Sequence, residues 1–368
     1  AVRDLKAKVV LVGNNFDDAL KESKTFCKKN KVNFIHPFDD PLVIAGQGTV
    51  GLEISEQFPD NLYAVFVAVG GGGLIAGIGA YLNKVHPNVK IIGVEAEDSA
   101  GLHASVKAGK RIKLKEVGLF ADGAAAKQIG KNNYELIKNF LDDSITVDTD
   151  EICAAVKDTF LETRTVPEPT GALALAGLKK YISQKRIKNK NLIATYCGSN
   201  LNFESLGHIV ERSKIGEKKE IILSIAIDEK KGSFRKLCRD IGQKNITEFS
   251  YRKDGSSKAK ILLGLELQDS KKSKDTFLKT LKNKKYYFTD LSNDEISKKH
   301  LKFMHGGRGP QLENEFVEEV YSVDFPEKPG ALLNFLTLLK DKWDISLFHY
   351  KNQGAIYGGA LVGFTIRQ

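Results

Sequence analysis

The chain has 368 residues, enough for more than one domain with a buried core, and 42% hydrophobic and 28% charged residues are ordinary for a folded globular protein. Its four cysteines are widely scattered without a C-x-x-C pair, which disfavours a disulfide scaffold or zinc ribbon and favours a reducing compartment. The net charge of +10 comes from lysines interspersed with acids, without an arginine-rich arm, and therefore indicates a solvated surface rather than nucleic-acid binding.

The first 200 residues alternate short apolar runs with helical patterns. Strands are predicted at residues 9–12, 32–35, 63–69, 90–95 and 192–196, and helices at residues 17–29, 46–58, 74–82, 150–164 and 172–181. Strands that alternate with helices imply a parallel sheet covered on both faces. We therefore predict an α/β fold for this part of the chain.

One uncharged segment is long enough to raise the question of a membrane. Residues 61–83 contain no charged side chain over 23 positions. Four consecutive glycines interrupt them, and the first part is β-branched and aromatic, so a strand, a loop and a buried helix explain the segment better. Without a signal peptide, we expect a cytoplasmic protein with no membrane partner.

Both ends of the chain look cut, since Ala1 is not a methionine and Gln368 directly follows a strand-like run, so we expect a fragment.

An internal repeat begins after about residue 216, where the chain becomes richer in lysine. Residues 229–232 match residues 327–330 at an offset of 98, and residues 245–251 match residues 344–350 at an offset of 99. Each copy is predicted as strand, glycine turn, helix, strand and strand, and the first adds a helix near 276–281 and a strand near 286–288. The matched glycines allow close backbone approach, which favours ligand binding over a role in assembly alone.

The row of glycines from Gly70 to Gly73 follows a predicted strand and precedes a helix. Residues without Cβ let successive backbone N–H groups converge, and the helix adds unpaired N–H groups and the positive end of its dipole. A phosphate suits such a site. Gly71, Gly73 and Ala76 also satisfy a relaxed dinucleotide fingerprint, with Glu95 as the ribose-binding acid, so a nicotinamide enzyme and a purely structural turn are alternatives.

Further motifs resolve this ambiguity by resemblance. The segments 38–49 (FDDPLVIAGQGT), 70–74 (GGGGL), 94–99 (VEAEDS), 118–123 (GLFADG), 167–172 (PEPTGA) and 197–200 (CGSN) occur in this order. Together they resemble the biosynthetic threonine deaminases of the fold-type II pyridoxal-phosphate family, and the repeats resemble that family's ACT-like regulatory modules. The resemblance implies a catalytic domain at residues 1–215, one module at 216–293 and a second, truncated module at 314–368.

The resemblance also implies roles for particular residues. Gly70 to Gly73 and the amide of Leu74 match the loop that grips the phosphate of pyridoxal 5'-phosphate. Cys197 matches the position that faces the pyridine nitrogen, and by itself would be interpreted as a small buried hydrophobe. Glu168 is implied to lie near the cofactor, with a helix-start acid as the alternative. Asp39 and Asp40 are predicted to be structural turn formers. No histidine has metal-ligand spacing, and we predict no metal site.

One expected part is missing. The family binds its cofactor through a lysine in a Ser-x-Lys context, followed by a Ser-x-Gly-Asn-His segment, and neither occurs in residues 1–69. Ser-x-Lys matches that end at Lys107 and Lys258 follow the glycine loop in the wrong context. We therefore assign no catalytic residue to this chain, and we expect the fragment alone to be inactive.

The reaction implied for the intact protein is conversion of L-threonine to 2-oxobutanoate and ammonia, the first step of isoleucine biosynthesis, in a homo-oligomer, by resemblance a tetramer. Isoleucine, and by extension valine, is the implied feedback effector. Tyr251 and Tyr350 occupy matched positions of the two repeats and are predicted to line effector sites, with ordinary core aromatics as the alternative. An L-serine dehydratase or related lyase, and a non-enzymatic amino-acid-binding regulator, are the other interpretations.

Overall fold

The computed structural model describes residues 2–13, 16–58, 60–203, 205–216, 220–253, 257–267, 270–292, 316–326, 329–339, 343–351 and 357–367. The chain divides into two compact units, Ala1–Gly216 and Glu217–Gln368, and each has its own sheet and hydrophobic core.

The first unit is built from four strands and eight α-helices within the described residues, with two short 3-10 turns. Its strands are β1 (Leu62–Ala68), β2 (Lys90–Ala96), β3 (Leu141–Val147) and β4 (Asn191–Ala194). Its helices are α1 (Phe16–Asn30), α2 (Pro41–Gln57), α3 (Gly73–Val85), α4 (Gly101–Ala108), α5 (Lys131–Ile137), α6 (Thr149–Thr163), α7 (Pro169–Lys185) and α8 (Ser205–Gly216). The strands form one sheet in the order β3-β2-β1-β4, and every neighbouring pair is parallel. The predicted parallel α/β fold is confirmed.

Helices cover both faces of this sheet, which explains why β1 is apolar at every position. Phe66 packs in a cluster with residues of α6 and α7, whereas Val65 and Val67 pack in another cluster with residues of α2 and α3. Since successive side chains of a strand point to opposite faces, a strand buried on both sides has no polar alternation. The strand therefore lies at the centre of the core.

Two of the predicted strands are wrong. Residues 9–12 and 32–35 are neither helix nor strand, and Leu11 and Ile35 are largely exposed. A strand is stable only when its backbone pairs with a neighbour, and within the described residues the sheet ends at β3 and β4 without pairing to either segment. Local β propensity was therefore insufficient.

The helix expected at residues 46–58 instead begins at Pro41. The Asp40 side chain accepts hydrogen bonds from the backbone N–H groups of Leu42 at 2.8 Å and Val43 at 3.4 Å, and Pro41 occupies the first helical position. Asp40 is thus structural, as predicted.

Strand β3 was not predicted from the sequence, because Asp142 and Asp143 interrupt its apolar pattern.

The second unit is a single seven-stranded sheet to which both repeats contribute. The first repeat comprises β5 (Glu220–Asp228), α9 (Ser233–Ile241), β6 (Asn245–Arg252), β7 (Lys258–Glu266), α10 (Ser270–Asn283) and β8 (Tyr287–Asp290). The second comprises β9 (Phe316–Pro326), α11 (Ala331–Leu339), β10 (Asp344–Lys351) and β11 (Tyr357–Arg367). The strand order is β8-β5-β7-β6-β10-β11-β9, with antiparallel neighbours. The predicted order of elements in both repeats is confirmed.

The two repeats are related by a local two-fold axis. Strands β6 and β10 pair so that Ser250 lies opposite His349, and these residues are equivalent at the repeat offset of 99. When equivalent residues of two antiparallel strands face each other, the axis passes between them. The equivalent Phe249 and Phe348 contact each other beside this axis, with ring centroids 5.7 Å apart.

Within the described residues, no helix has both the length and the apolar character needed to cross a bilayer. The uncharged segment at residues 61–83 is divided among β1, the glycine loop and α3.

Candidate functional site

The order of the parallel strands changes direction at β1, and such a point is where a ligand crevice is expected. From β1 the chain proceeds to β2 and β3 on one side, whereas β4 lies on the other side of β1. Loops that leave two such adjoining strands at their carboxyl ends diverge, and a ligand crevice forms between them. The glycine loop follows β1, and Cys197 follows β4 by three residues. The Thr195 N–H donates to the Phe66 carbonyl at 2.9 Å, so the pairing of β4 with β1 continues to the carboxyl end of β4.

The glycine loop has the geometry of an anion site. Gly72 adopts a left-handed conformation with φ of 90° and caps α3, and the first helical bond runs from the Ala76 N–H to the Gly72 carbonyl at 3.0 Å. The N–H groups of Gly73 and Leu74 therefore have no acceptor in the helix. They point outward from the positive end of the helix dipole, where a phosphate is favoured.

Close packing explains why the loop consists of glycines. A Cβ atom on Gly70 would lie 2.8 Å from the Ala124 Cα, and one on Gly71 would lie 2.3 Å from the Phe38 ring. The loop can therefore be neither widened by side chains nor moved without displacing its neighbours.

Phe38 reaches the loop because Asp39 anchors the preceding segment. The Asp39 carboxylate accepts hydrogen bonds from the N–H groups of Lys131 at 2.8 Å, Asn132 at 2.9 Å and Asn133 at 3.2 Å. It thus caps the start of α5, more than ninety residues away in the sequence. The structural role predicted for Asp39 is correct, but its partner was not foreseeable from local pattern.

Glu168 and the loop that carries Cys197 contact each other beyond the carboxyl end of β4. Gly198 has φ of 92°, and a Cβ there would lie 2.3 Å from Glu168 Oε1. The Asn200 N–H donates to Glu168 Oε2 at 3.0 Å. Glu168 precedes α7 at the cap position, yet its side chain makes no capping bond to that helix. Burial, and then the negative charge of Glu168, raise the pKa of the Cys197 thiol, so this thiol is neutral at pH 7.

A short 3-10 turn, Asp122–Ala124, contacts both the glycine loop and the segment at Glu168. Ala124 contacts Gly70, while a Cβ on Gly123 would lie 3.1 Å from the Thr170 hydroxyl and 3.3 Å from Glu168 Oε1. Asp122 and Gly123 of this turn belong to the GLFADG segment, but small residues in a loop do not by themselves indicate which groups they contact.

Two buried hydroxyl groups belong to the same part of the unit. Within the described part of the chain, Thr170 Oγ1 and Thr195 Oγ1 have no hydrogen-bond partner. Thr170 lies in the first turn of α7, and Thr195 directly follows β4. Since buried polar atoms are normally satisfied, hydroxyls of this kind suit a polar ligand in the crevice.

The dinucleotide alternative does not agree with the geometry. Glu95 is only 1% exposed, and its two carboxylate oxygens accept the N–H groups of Leu102 and His103, each at 2.7 Å. It caps the start of α4 and cannot reach a ribose.

Of the Ser-x-Lys matches that end at Lys107 and Lys258, only the first lies in the unit that contains the glycine loop. Lys107 is exposed near the end of α4, and Lys258 forms an ion pair with Asp228 at 3.2 Å in the second unit.

The two tyrosines of the repeats line two separate clefts in the second unit. Tyr251 lines a cleft between the turn at Gly232 and helix α11, and Tyr350 lines one between the turn at Gly330 and the start of β6. Gly232 and Gly330 both have φ of 83°, as expected for equivalent turns. Both tyrosines are also buried in the aromatic core, so each takes part in the packing that the alternative interpretation described.

Comparison with known proteins agrees with this arrangement. A sequence profile described as pyridoxal-phosphate dependent enzyme matches residues 1–198, which include the parallel sheet and the glycine loop, and this match shows the class of the first unit. A profile described as the C-terminal regulatory domain of threonine dehydratase matches residues 211–301 and 311–368.

Individual relatives specify the family further. The chain is 44% identical to L-threonine dehydratase biosynthetic IlvA of Escherichia coli, covering all of this chain and 70% of that protein. It is 45% identical to the protein of the same name from Haemophilus influenzae, covering 71% of it. A solved structure, the processed form of threonine deaminase isoform 2 from Solanum lycopersicum, is 41% identical with a TM-score of 0.56, over 58% of this chain and 62% of that one. The chain therefore belongs to the biosynthetic threonine dehydratase family of pyridoxal-phosphate enzymes.

Proposed function

We propose that the complete protein deaminates L-threonine to 2-oxobutanoate and ammonia and thereby begins isoleucine biosynthesis. The observation that carries this proposal is 44–45% identity, along essentially the whole chain, to several proteins named biosynthetic threonine dehydratase. The crevice supports it independently, because its donors suit the phosphate of the cofactor of this family.

The residues around the crevice fit pyridoxal phosphate. Gly70, Gly71, Gly72, Gly73 and Leu74 would hold the phosphate through backbone N–H groups and the dipole of α3. Cys197 would face the ring nitrogen, and the unpartnered Thr170 and Thr195 hydroxyls provide further polar atoms near that side. When bound, pyridoxal phosphate supplies an electron sink for loss of the α-proton and the β-hydroxyl group of threonine.

Cys197 would determine whether the ring nitrogen of the cofactor is protonated. A neutral thiol cannot keep the ring nitrogen protonated as a carboxylate would, and this suits β-elimination over reactions that need a long-lived carbanion. Burial, and to a smaller extent the negative charge of Glu168, raise the pKa of the Cys197 thiol and so favour its neutral form. The hydrogen bond from the Asn200 N–H to Glu168 also orders the loop that carries Cys197.

We propose that the lysine that binds the cofactor lies outside these 368 residues. The chain spans about 70% of its bacterial relatives, and residues 1–69 contain no Ser-x-Lys. To test this, the 368-residue chain is treated with pyridoxal phosphate and borohydride and analysed by mass spectrometry. We expect no specific adduct; a stoichiometric adduct at any single lysine of the chain, including Lys107 and Lys258, would contradict the proposal.

Regulation is proposed to reside in the second unit. Residues 1–215 would form the catalytic domain, and residues 216–293 and 314–368 would form two ACT-like modules. We propose that isoleucine, and by extension valine, binds in the clefts lined by Tyr251 and Tyr350. The Tyr251 cleft combines apolar Leu336 and Ile345 with the charged Glu229, a mixture that suits a branched-chain amino acid.

The experiment compares initial rates on L-threonine and L-serine for the full-length protein, with and without isoleucine. We expect threonine to be preferred and isoleucine to inhibit. A faster reaction with serine would favour the serine dehydratase alternative. Isoleucine binding without turnover of either substrate would favour a non-enzymatic regulator.

Two further properties belong to the same proposal. A homotetramer is expected, and light scattering of the full-length protein measures its mass directly. We also propose a cytoplasmic location, which is supported by four cysteines that are all free thiols.

A further inference from the structure

We propose that Asn133 is a positioning residue for the phosphate: its amide fixes the peptide between Gly71 and Gly72 so that the Gly72 N–H faces the anion. The inference rests on the proposed cofactor site. Asn133 lies in α5 with 0% exposure. Its Nδ2 donates to the Gly71 carbonyl at 2.8 Å and to the Phe38 carbonyl at 2.9 Å.

The Gly71 carbonyl accepts two hydrogen bonds. Besides Asn133, the Gly130 N–H donates to it at 3.0 Å. In a planar trans peptide the carbonyl and the following N–H point in opposite directions. A carbonyl turned toward α5 therefore turns the Gly72 N–H away from α5. Without these bonds, a glycine–glycine peptide can rotate at little steric cost and present its carbonyl to the phosphate instead.

The chemistry of the site selects asparagine over an isosteric residue. Both partners are carbonyl oxygens, so the side chain must present its NH2 group to them, and Asn133 Oδ1 then has no partner within the described residues. A buried acceptor without a partner costs free energy. The presence of asparagine in spite of this cost indicates that the position requires the two hydrogen bonds that its NH2 group donates.

The backbone of Asn133 is also fixed in position. The Asp39 carboxylate accepts the backbone N–H of Asn133, and the Phe38 ring packs against Gly71. The Asn133 side chain, which belongs to the first turn of α5, thus links the glycine loop to the segment at Phe38 and Asp39. Neighbouring Asn132 differs, because its exposed side chain makes a single 3.3 Å bond to the Asp39 carbonyl and none to the loop.

The test separates the phosphate from the rest of the cofactor. Dissociation constants for pyridoxal 5'-phosphate and for pyridoxal are measured by fluorescence titration on full-length wild type, Asn133→Ala and Asn132→Ala. We expect Asn133→Ala to weaken pyridoxal phosphate binding about tenfold, the equivalent of one misdirected hydrogen bond to a charged group, and to change pyridoxal binding less than about twofold. Asn132→Ala should change neither.

Equal losses for both ligands, or no loss, would overturn the inference. If wild type binds pyridoxal as tightly as its phosphate, the proposed phosphate site itself fails, and this is distinguishable from failure of Asn133 alone. Asn133→Ser keeps a small polar side chain but removes the amide NH2 group. It serves if the alanine variant does not fold, and it should show the same selective loss of preference for the phosphate.

Discussion

The buried carboxyl group of Glu95 makes the stability of the first unit depend on pH. Glu95 ends β2 with 1% exposure and caps α4 through two hydrogen bonds. Burial raises its pKa from the ordinary value of 4.5 to about 7, because an ionised carboxylate is poorly solvated there, although the capping N–H groups partly offset this.

The direction of the effect follows from proton binding. The pKa of Glu95 is higher in the folded state, so between pH 4.5 and about 7 the folded state holds a proton that the unfolded state has lost. This contribution to stability is complete below pH 4.5 and is lost as pH rises through about 7. At about 1.4 kcal/mol per pH unit, the free energy of unfolding should fall by roughly 3 kcal/mol across this window.

The assay measures urea unfolding by circular dichroism from pH 4 to pH 8 for wild type and Glu95→Gln. The glutamine variant does not titrate, so its unfolding free energy should lack this decline, apart from a constant loss of about 1 kcal/mol for one weakened capping bond. Glu97→Gln, at an exposed neighbouring position, is the control and should follow wild type. Parallel curves for wild type and Glu95→Gln over the whole range would refute the reasoning.

Three further substitutions test other contacts. Gly70→Ala places a Cβ 2.8 Å from the Ala124 Cα, so it should weaken pyridoxal phosphate binding about tenfold or more in a fluorescence titration, and unchanged affinity would contradict the packing argument. Asp39→Ala removes the cap of α5 and should lower the free energy of unfolding by about 1 kcal/mol; an unaltered thermal midpoint would count against it. Arg252 and Glu318 join the two repeats through bonds of 2.6 and 2.9 Å, so Arg252→Met should lower the stability of the second unit by about 1–2 kcal/mol. The fluorescence of the single tryptophan, in that unit, reports this change, and an identical urea midpoint would show that the pair contributes nothing.

Local patterns were sufficient wherever an element depends on its own residues. The apolar run of β1 and the glycines before α3 predicted a buried strand, a tight loop and a helix, and all three form. The repeat offset likewise predicted the order of elements in the second unit. In these cases side-chain periodicity and the conformational freedom of glycine act within a few residues, so the sequence contains the necessary information.

Contacts between distant segments could not be predicted in this way. Within the described part of the chain, residues 32–35 do not pair with any strand of the sheet. Glu95 serves as a helix cap rather than a ribose ligand because the first turn of α4 lies over it. The pairing of Ser250 with His349, and the strand order that brings the glycine loop beside Cys197, are likewise matters of three-dimensional arrangement. The sequence alone determined which chemical groups the protein possesses. Only the tertiary structure decided which of them meet, since pairing and burial depend on residues far apart in the chain.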